Sequence, residues 1–324
     1  MTLADAYAVC ERLAASHYEN FPVASVLLPP PMRPHIAAIY AFARMADDYA
    51  DEGSALPEER LRQLDDWLAQ LHAAIDSDAS RPASREGHRR DGQELCKEDR
   101  EFRTVPRPTP HAPVFIALAE TIRVHRLPVS LFEDLISAFK QDVTTGRYDT
   151  WDDLLDYCRR SANPVGRLVL RVAGHPDDHL AGASDAVCTA LQLTNFWQDI
   201  EHDWRKGRVY VPRAERDRCG AREEDLESRT WTPAWQRVLA EVAARTRTLF
   251  DEGKPVCEGV SGRLRLELRF TWLGGRRILD KLDSVGFDIF EHRPTLGAAD
   301  IPALLWQAAT WNTTALTGAT DSRT

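Results

Sequence analysis

"ALQLTNFWQDIEHDWRKGR", residues 190–208, decides the fold. Its apolar side chains, Leu191, Leu193, Phe196, Trp197 and Ile200, recur at helical rather than alternating spacing, so the stretch reads as a helix packed on more than one side. Each helical residue turns about 100°, and steps of three, four and four therefore put Gln192, Asn195, Asp199 and Asp203 on one narrow stripe. One reading of that stripe is a solvated face. Against it, like charges four apart on a helix repel by a few tenths of a kcal/mol, and these acids sit beside two amides instead of the Lys or Arg partners of a surface helix.

The segment "ARMADDYADE", residues 43–52, repeats the theme, with Asp47 and Asp51 four apart and Arg44 three before Asp47. Two such stripes facing each other would assemble four carboxylates, which in a helical interior must be neutralised by protonation, pairing or metal. Metal is the simplest answer. Oxygen-only ligands select Mg²⁺, Mn²⁺ or Ca²⁺, and Mg²⁺ leaves several positions to water and substrate phosphate, so the pattern predicts a phosphorylated substrate. Arg44 beside the first stripe, and Lys206 and Arg208 beyond the second, are placed to hold a departing diphosphate. Lys206 and Arg208 equally suit the plainer role of offsetting a helix C-terminal dipole.

Outward from these stripes the helical period continues. It runs through "LADAYAVCERLAASHY", "EERLRQLDDWLAQLHAAI", "VFIALAETIRVH", "VSLFEDLISAFKQDV", "TWDDLLDYCRR", "PAWQRVLAEVAARTRTLFDEG" and "RLRLELRFTWLGGRRILDKLD", with Pro or Gly near several ends. Period-two runs rich in Val, Ile and Thr are essentially missing, so the class is all-α. Residues 77–113 are polar, mixed in charge and dense in Pro, Ser and Arg, too poor in apolar surface to offset ordering entropy; a mobile insert is expected there. A frayed tail is expected after about residue 313, within one domain spanning 1–324.

With 50 acidic against 41 basic residues the chain carries a net charge of −9, which argues against a nucleic-acid partner. The N-terminus lacks the basic-then-apolar pattern of a secretion signal and no apolar run approaches the roughly 20 residues that span a bilayer, so a cytoplasmic protein is expected. The six cysteines are scattered without C-x-x-C or zinc-site spacing, and no His follows a Glu by three positions, which removes a carboxylate-bridged di-iron bundle.

These motifs resemble the squalene and phytoene synthases. The matching residues are "DDYAD" for a first Asp-x-x-x-Asp motif, "QLTNFWQDIEHD" for a second, "YAFAR" before the first, "KGRVYVP" after the second, and "YCRRSANPVG". More narrowly, "HYENFPVAS", "RSANPVGRLVL" and "VGFDIFEHRP" are similar to the bacterial hydroxysqualene synthase branch. The resemblance implies an isoprenoid-synthase helical bundle around a central cavity. It also implies a lyase-type reaction in squalene or hopanoid biosynthesis: presqualene diphosphate is ionised with Mg²⁺ or Mn²⁺, the carbocation rearranges, and water captures it as hydroxysqualene. Another synthase would supply presqualene diphosphate and a flavin-dependent reductase would act later. Transient contact with the inner membrane is expected, because the product is apolar.

Carried over by position, the resemblance assigns Mg²⁺ to Asp47, Asp51, Asn195, Asp199 and Asp203. Substrate binding falls to Arg44, Gln192, Lys206, Arg208 and Tyr210, with His17, Asn20 and Arg293 added, while Tyr40, Phe21 and Tyr157 line the cavity near the reacting carbons. The chain departs from the family in having Asn163 and Pro164 where the family has Gly after Ala162. A proline within a helix kinks it and frees the carbonyl four residues earlier. Asn163, presented at that kink, is expected to hold the capturing water; the alternative is a local cap at a helix break. Trp272 stands where relatives tend to carry Tyr. Two further functional readings are a head-to-head prenyl synthase making squalene, dehydrosqualene or phytoene, and a non-catalytic cation-binding helical scaffold.

Overall fold

Local signals in the chain set the helix boundaries. Thr150 and Asp153 form a reciprocal capping box that starts one helix, Thr232 caps another by accepting from the Trp235 amide, and prolines occupy the first turns of several. In the computed structural model, which describes residues 1–16, 27–79, 111–176, 178–290 and 293–311, the α-helices are α1 (Leu3–Ser16), α2 (Arg33–Asp51), α3 (Pro57–Ala79), α4 (Ala112–His125), α5 (Ser130–Thr144), α6 (Trp151–Ser161), α7 (Asn163–Val172), α8 (Ala181–Gln198), α9 (Ile200–Arg205), α10 (Arg213–Cys219), α11 (Glu223–Glu227), α12 (Pro233–Gly253), α13 (Val256–Gly259), α14 (Gly262–Ser284) and α15 (Asp300–Thr310). Among the described residues extended pairing is limited to one parallel bridge, between Arg147 and Val209.

Two packing groups build the bundle. In the first, α2 packs on α1, α3, α4 and α5, with Phe42, Trp67, Phe115 and Phe132 interlocked edge to face and in stacks. In the second, α8 packs on α6, α7, α12 and α14, and its fully buried Trp197 donates from the indole nitrogen to Thr246 Oγ1 at 2.9 Å. Gly275 of α14 lets the helix approach α8 and α12: a Cβ there would meet Leu191 Cδ2 at 2.7 Å and Phe250 Cζ at 2.5 Å. Among the described residues no helix is long and apolar enough to cross a membrane.

Three expectations change at this level. The ends of the predicted 77–113 insert are helical, since α3 runs on to Ala79 and α4 starts at Ala112; residues 80–110, like the expected frayed tail, lie outside the described residues. The Asn163-Pro164 pair separates α6 from α7 instead of kinking one helix, since Pro164 falls in the first turn of α7, where its missing N–H has no intrahelical partner to lose. Likewise the stripe from Gln192 to Asp203 spans α8 and α9, with Asp199 between them at φ −108° and ψ 15°.

Candidate active site

Asp47 and Asp51 end the cavity-facing side of α2, and Gln192, Asn195, Asp199 and Asp203 follow one another down α8 into α9. All six line one chamber of about 660 Å³, together with Lys206, Arg208, Tyr210, Tyr157 and Arg293. The break at Asp199 does not scatter the stripe, because Asp199 N still donates to Asn195 O (2.9 Å) and Asp203 N to Asp199 O (2.8 Å). The two acidic motifs therefore face a common space.

Burial governs how these carboxylates titrate. It pushes Asp47 up to about 6, with the like charge of Asp51 adding and Arg44 opposing. Asp47 lines the chamber, and 39% of its side chain is accessible. Asp203 is pushed up to about 8 by burial and by neighbouring Asp199. Burial would raise Asp51 too, but hydrogen bonds and charge from Arg208 and Lys206 hold it below the usual carboxylate range. Lys206 Nζ lies 2.9 Å from Asp51 Oδ2, Arg208 Nη1 donates to the same oxygen at 3.0 Å, and Arg208 Nη2 reaches Oδ1. Across the chamber Arg293 Nε donates to Asp199 Oδ1 at 2.5 Å. No three His, Cys, Asp or Glu side chains among the described residues converge closely enough to hold one metal ion in this arrangement. The ion pairs account for that: Asp51 and Asp199 are each drawn to a cation.

A clasp fixes Lys206 and Arg208. Gly207 between them has φ +78°, its carbonyl accepts from Arg147 Nη1 at 2.6 Å, and Val209 N donates to Gly146 O at 2.9 Å. Arg147 is in turn held by Glu223, which also pairs with Arg216. A Cβ on Gly146 would sit 2.6 Å from the Gly207 carbonyl oxygen, so only glycine permits this approach.

Sequence reasoning missed Asp142 of α5. Its Oδ2 accepts from the Tyr157 hydroxyl at 2.7 Å and its Oδ1 from the Tyr210 hydroxyl at 3.3 Å, while its backbone carbonyl accepts from Arg208 at 3.2 Å. Burial pushes this carboxyl up to about 7 against the pull of Tyr157 and Arg208. Burial, with Asp142 as the nearest negative charge, raises both phenols well above their ordinary value, so both stay protonated donors. Tyr210 also stacks on Phe196 with centroids 3.6 Å apart. A signal was present: Leu131, Leu135 and Ala138 form the buried stripe of α5, and Asp142 continues it one turn later.

A second cavity, of about 300 Å³, follows the same helices away from the acids. Ile36, Tyr40 and Ala43 of α2 face Val187, Cys188 and Leu191 of α8 across it, with α7 and α14 completing the wall. The two cavities succeed each other along both helices: the α2 positions step from Tyr40 and Ala43 to Asp47, those of α8 from Leu191 to Asn195.

Some expected residues stand elsewhere. Arg44 lines neither of these two cavities and is tied to Asp47, Asp48 and Glu52 of its own chain segment. Asn163 also lines neither; it is buried, and its Oδ1 accepts from Thr189 Oγ1 at 2.9 Å. Trp272 is buried in the core, donating to Phe250 O at 2.7 Å. His17, Asn20 and Phe21 lie outside the described residues.

Asp motifs that line one chamber, with an apolar cavity next along the same helices, agree with a match of residues 14–300 to the squalene/phytoene synthase family model. The chain belongs to that family. Among family members, it is 33% identical over 268 residues to a hydroxysqualene synthase of Rhodopseudomonas palustris, covering 82% of this chain and 80% of the relative. A hydroxysqualene synthase of Zymomonas mobilis is 35% identical over 71% of this chain and 67% of its own. The crystal structure of squalene synthase HpnC from Alicyclobacillus acidocaldarius superposes with a TM-score of 0.73 at 38% identity, covering 88% of this chain and 95% of that one. A dehydrosqualene synthase shares the fold at 20% identity, with a TM-score of 0.75 over 95% of this chain and 97% of its own. Membership makes this a prenyl-diphosphate-processing enzyme.

Proposed function

We propose that this enzyme ionises presqualene diphosphate and directs water onto the rearranged carbocation, releasing hydroxysqualene and diphosphate as a carbon–oxygen lyase of squalene or hopanoid formation. The observation that carries the reading is the succession, along α2 and α8, of an acid-and-cation chamber and an apolar cavity. The identity of 33–35% to hydroxysqualene synthases supports this branch.

The donor set suits Mg²⁺, with Mn²⁺ as a substitute: the ligands are oxygens, and Asp47 and Asp203 are raised by burial and by neighbouring acids, a strain that positive charge relieves. Mg²⁺ held by Asp47, Asp51, Asn195, Asp199 and Asp203 would neutralise charge building on the leaving diphosphate. Lys206, Arg208 and Arg293 exchange their carboxylate partners for phosphate oxygens, which frees Asp51 and Asp199 as ligands. Tyr157 and Tyr210, kept protonated, bound the chamber near the ionising carbon, and with Phe196 they offer ring faces worth about 0.5–2 kcal/mol each to a cation. The substrate would come from a reaction joining two prenyl diphosphates, and the alcohol would pass to a flavin-dependent reductase, with transient contact at a membrane where the product leaves.

Likeness to a squalene synthase at 38% identity favours a second reading, head-to-head joining of two farnesyl diphosphates. Supplying purified protein with Mg²⁺ and either presqualene diphosphate or farnesyl diphosphate, and identifying products by mass, separates the two. Alcohol from presqualene diphosphate supports the first; efficient turnover of farnesyl diphosphate alone rejects it.

A further inference from the structure

The ion pairs of Asp51 belong to two cavities. Asp51, Asp142, Lys206 and Arg208 line the chamber, and the same four residues line a separate polar space of about 410 Å³ where α2 and α5 end, α3 begins and the turn after α9 passes. Small side chains make up most of its remaining wall, with Arg60, Thr144 and Thr145 as the other polar groups. Pro57, Thr144 and Gly207 of that wall are exposed, so the space opens to solvent. The contacts of Asp51 Oδ2 with Lys206 Nζ (2.9 Å) and Arg208 Nη1 (3.0 Å) are therefore shared by the chamber and this outer cavity.

The outer cavity favours an anion. Three cations and two acids line it, and one acid, Asp51, is divided between two of the cations. The other acid, Asp142, accepts from the hydroxyls of Tyr157 and Tyr210. Arg60 is held by backbone carbonyls alone, donating to Ala55 O at 3.1 Å, to Gly53 O at 2.8 Å and to Ala50 O, so no carboxylate neutralises it. Closing the end of α2 accounts for Arg60. It does not account for two further cations beside it that share a single carboxylate. Arg and Lys together suit phosphate oxygens, whereas a prenyl chain would leave all three charges without partners. Because Lys206 and Arg208 face both spaces, an anion passing from one to the other need never lose both of them.

We propose that the outer cavity is a binding site for inorganic diphosphate leaving the chamber: Lys206 and Arg208 hand the anion across, Arg60 and the Thr145 hydroxyl receive it, and Asp51 pairs again with the two cations behind it. Both reactions considered above release diphosphate. The site rests on that shared step and not on which of the two the enzyme performs.

The first test is calorimetric titration of the metal-free protein with inorganic diphosphate. Thr145 lines the outer cavity and not the chamber, and it ends α5 in an extended conformation (φ −121°, ψ 105°) that any residue adopts. Saturable binding by the native protein is expected below about 10 mM. Thr145→Glu should weaken it at least about tenfold by placing like charge beside the anion, while the uncharged Thr145→Gln should stay within about threefold. Gln192→Glu adds the same charge to the chamber and should weaken binding less than Thr145→Glu does. Melting curves verify the fold, and Thr144→Glu carries the readout should the first variant fail to fold. No binding by the native protein, an unchanged affinity in Thr145→Glu, or a larger effect from Gln192→Glu overturns the site. In single turnovers with Mg²⁺, quenched samples should show bond cleavage by Thr145→Glu within about threefold of the native rate, with free diphosphate lagging behind it. Free diphosphate that keeps pace with cleavage in this variant overturns the exit route. No cleavage of either prenyl diphosphate by the native enzyme overturns the proposed reactions, a result separate from the binding measurement.

Discussion

Asp142 joins three parts of the site: the phenols of Tyr157 and Tyr210 through its carboxylate, and Arg208 through its backbone carbonyl. Replacing it by Asn retains an acceptor for one phenol and turns a donor towards the other. Tyr210, stacked on Phe196, then shifts, and since displacements near 1 Å lower rates by about 10²-fold, Asp142→Asn should reduce diphosphate release by about that factor. Stability should move the other way. A carboxyl raised to about 7 is ionised unwillingly at pH 8, so the amide should melt no lower than the native protein there. An unchanged rate, or a large loss of stability with retained rate, would contradict this assignment. Asp142 escaped sequence reading because no second acid stands three or four positions away on α5 to mark a motif. Asp47 with Asp51, and Asp199 with Asp203, advertise themselves by pairing, whereas a single acid closing an apolar stripe is recognised only once its tyrosine partners, 15 and 68 residues away, are brought to it.

Elements were legible where local chemistry ends them. α12 runs over Pro233–Gly253, bounded by the Thr232 cap at one end and a glycine at the other, and both features are visible in the chain. The break at Asp199 was not visible, because the hydrogen bonds from Asp199 to Asn195 and from Asp203 to Asp199 keep the helical period across it. Nor could the sequence reveal that the turn after α5 grips the turn after α9. Gly146→Ala tests that grip. The added methyl would meet a backbone oxygen at 2.6 Å, and backbone yields less readily than the tip of a side chain. A loss of about 1–3 kcal/mol is expected from overpacking, seen as a lower melting temperature. Substrate KM should rise as well, because Lys206 and Arg208 are carried by the same turn. A variant that melts as the native protein does, with KM intact, would show the clasp to be dispensable.

At the scale of the molecule, the fold holds acids in a chamber at some expense to itself. In the metal-free protein, burial and mutual repulsion raise Asp47 to about 6, Asp142 to about 7 and Asp203 to about 8, all above the value near 3.8 of an unfolded chain. The folded state therefore binds these protons more tightly than the unfolded state, and the associated stability, complete below about pH 4, is lost as pH rises through about 6 to 8. Melting temperature without metal should fall between about pH 5.5 and 8.5, and Mg²⁺ should recover more of it at the upper end, where the ligands are ionised. A flat or rising profile in the absence of metal would refute the arrangement of charges described for the chamber. The attachment of Lys206 and Arg208 to Asp51 also has a kinetic side. Inorganic diphosphate left behind by the proposed reaction competes for those cations with a tethered anion that never diffuses away and whose effective concentration is correspondingly high. The enzyme thus carries its own eluent, and inhibition by accumulated diphosphate should stay weaker than two such cations would otherwise impose.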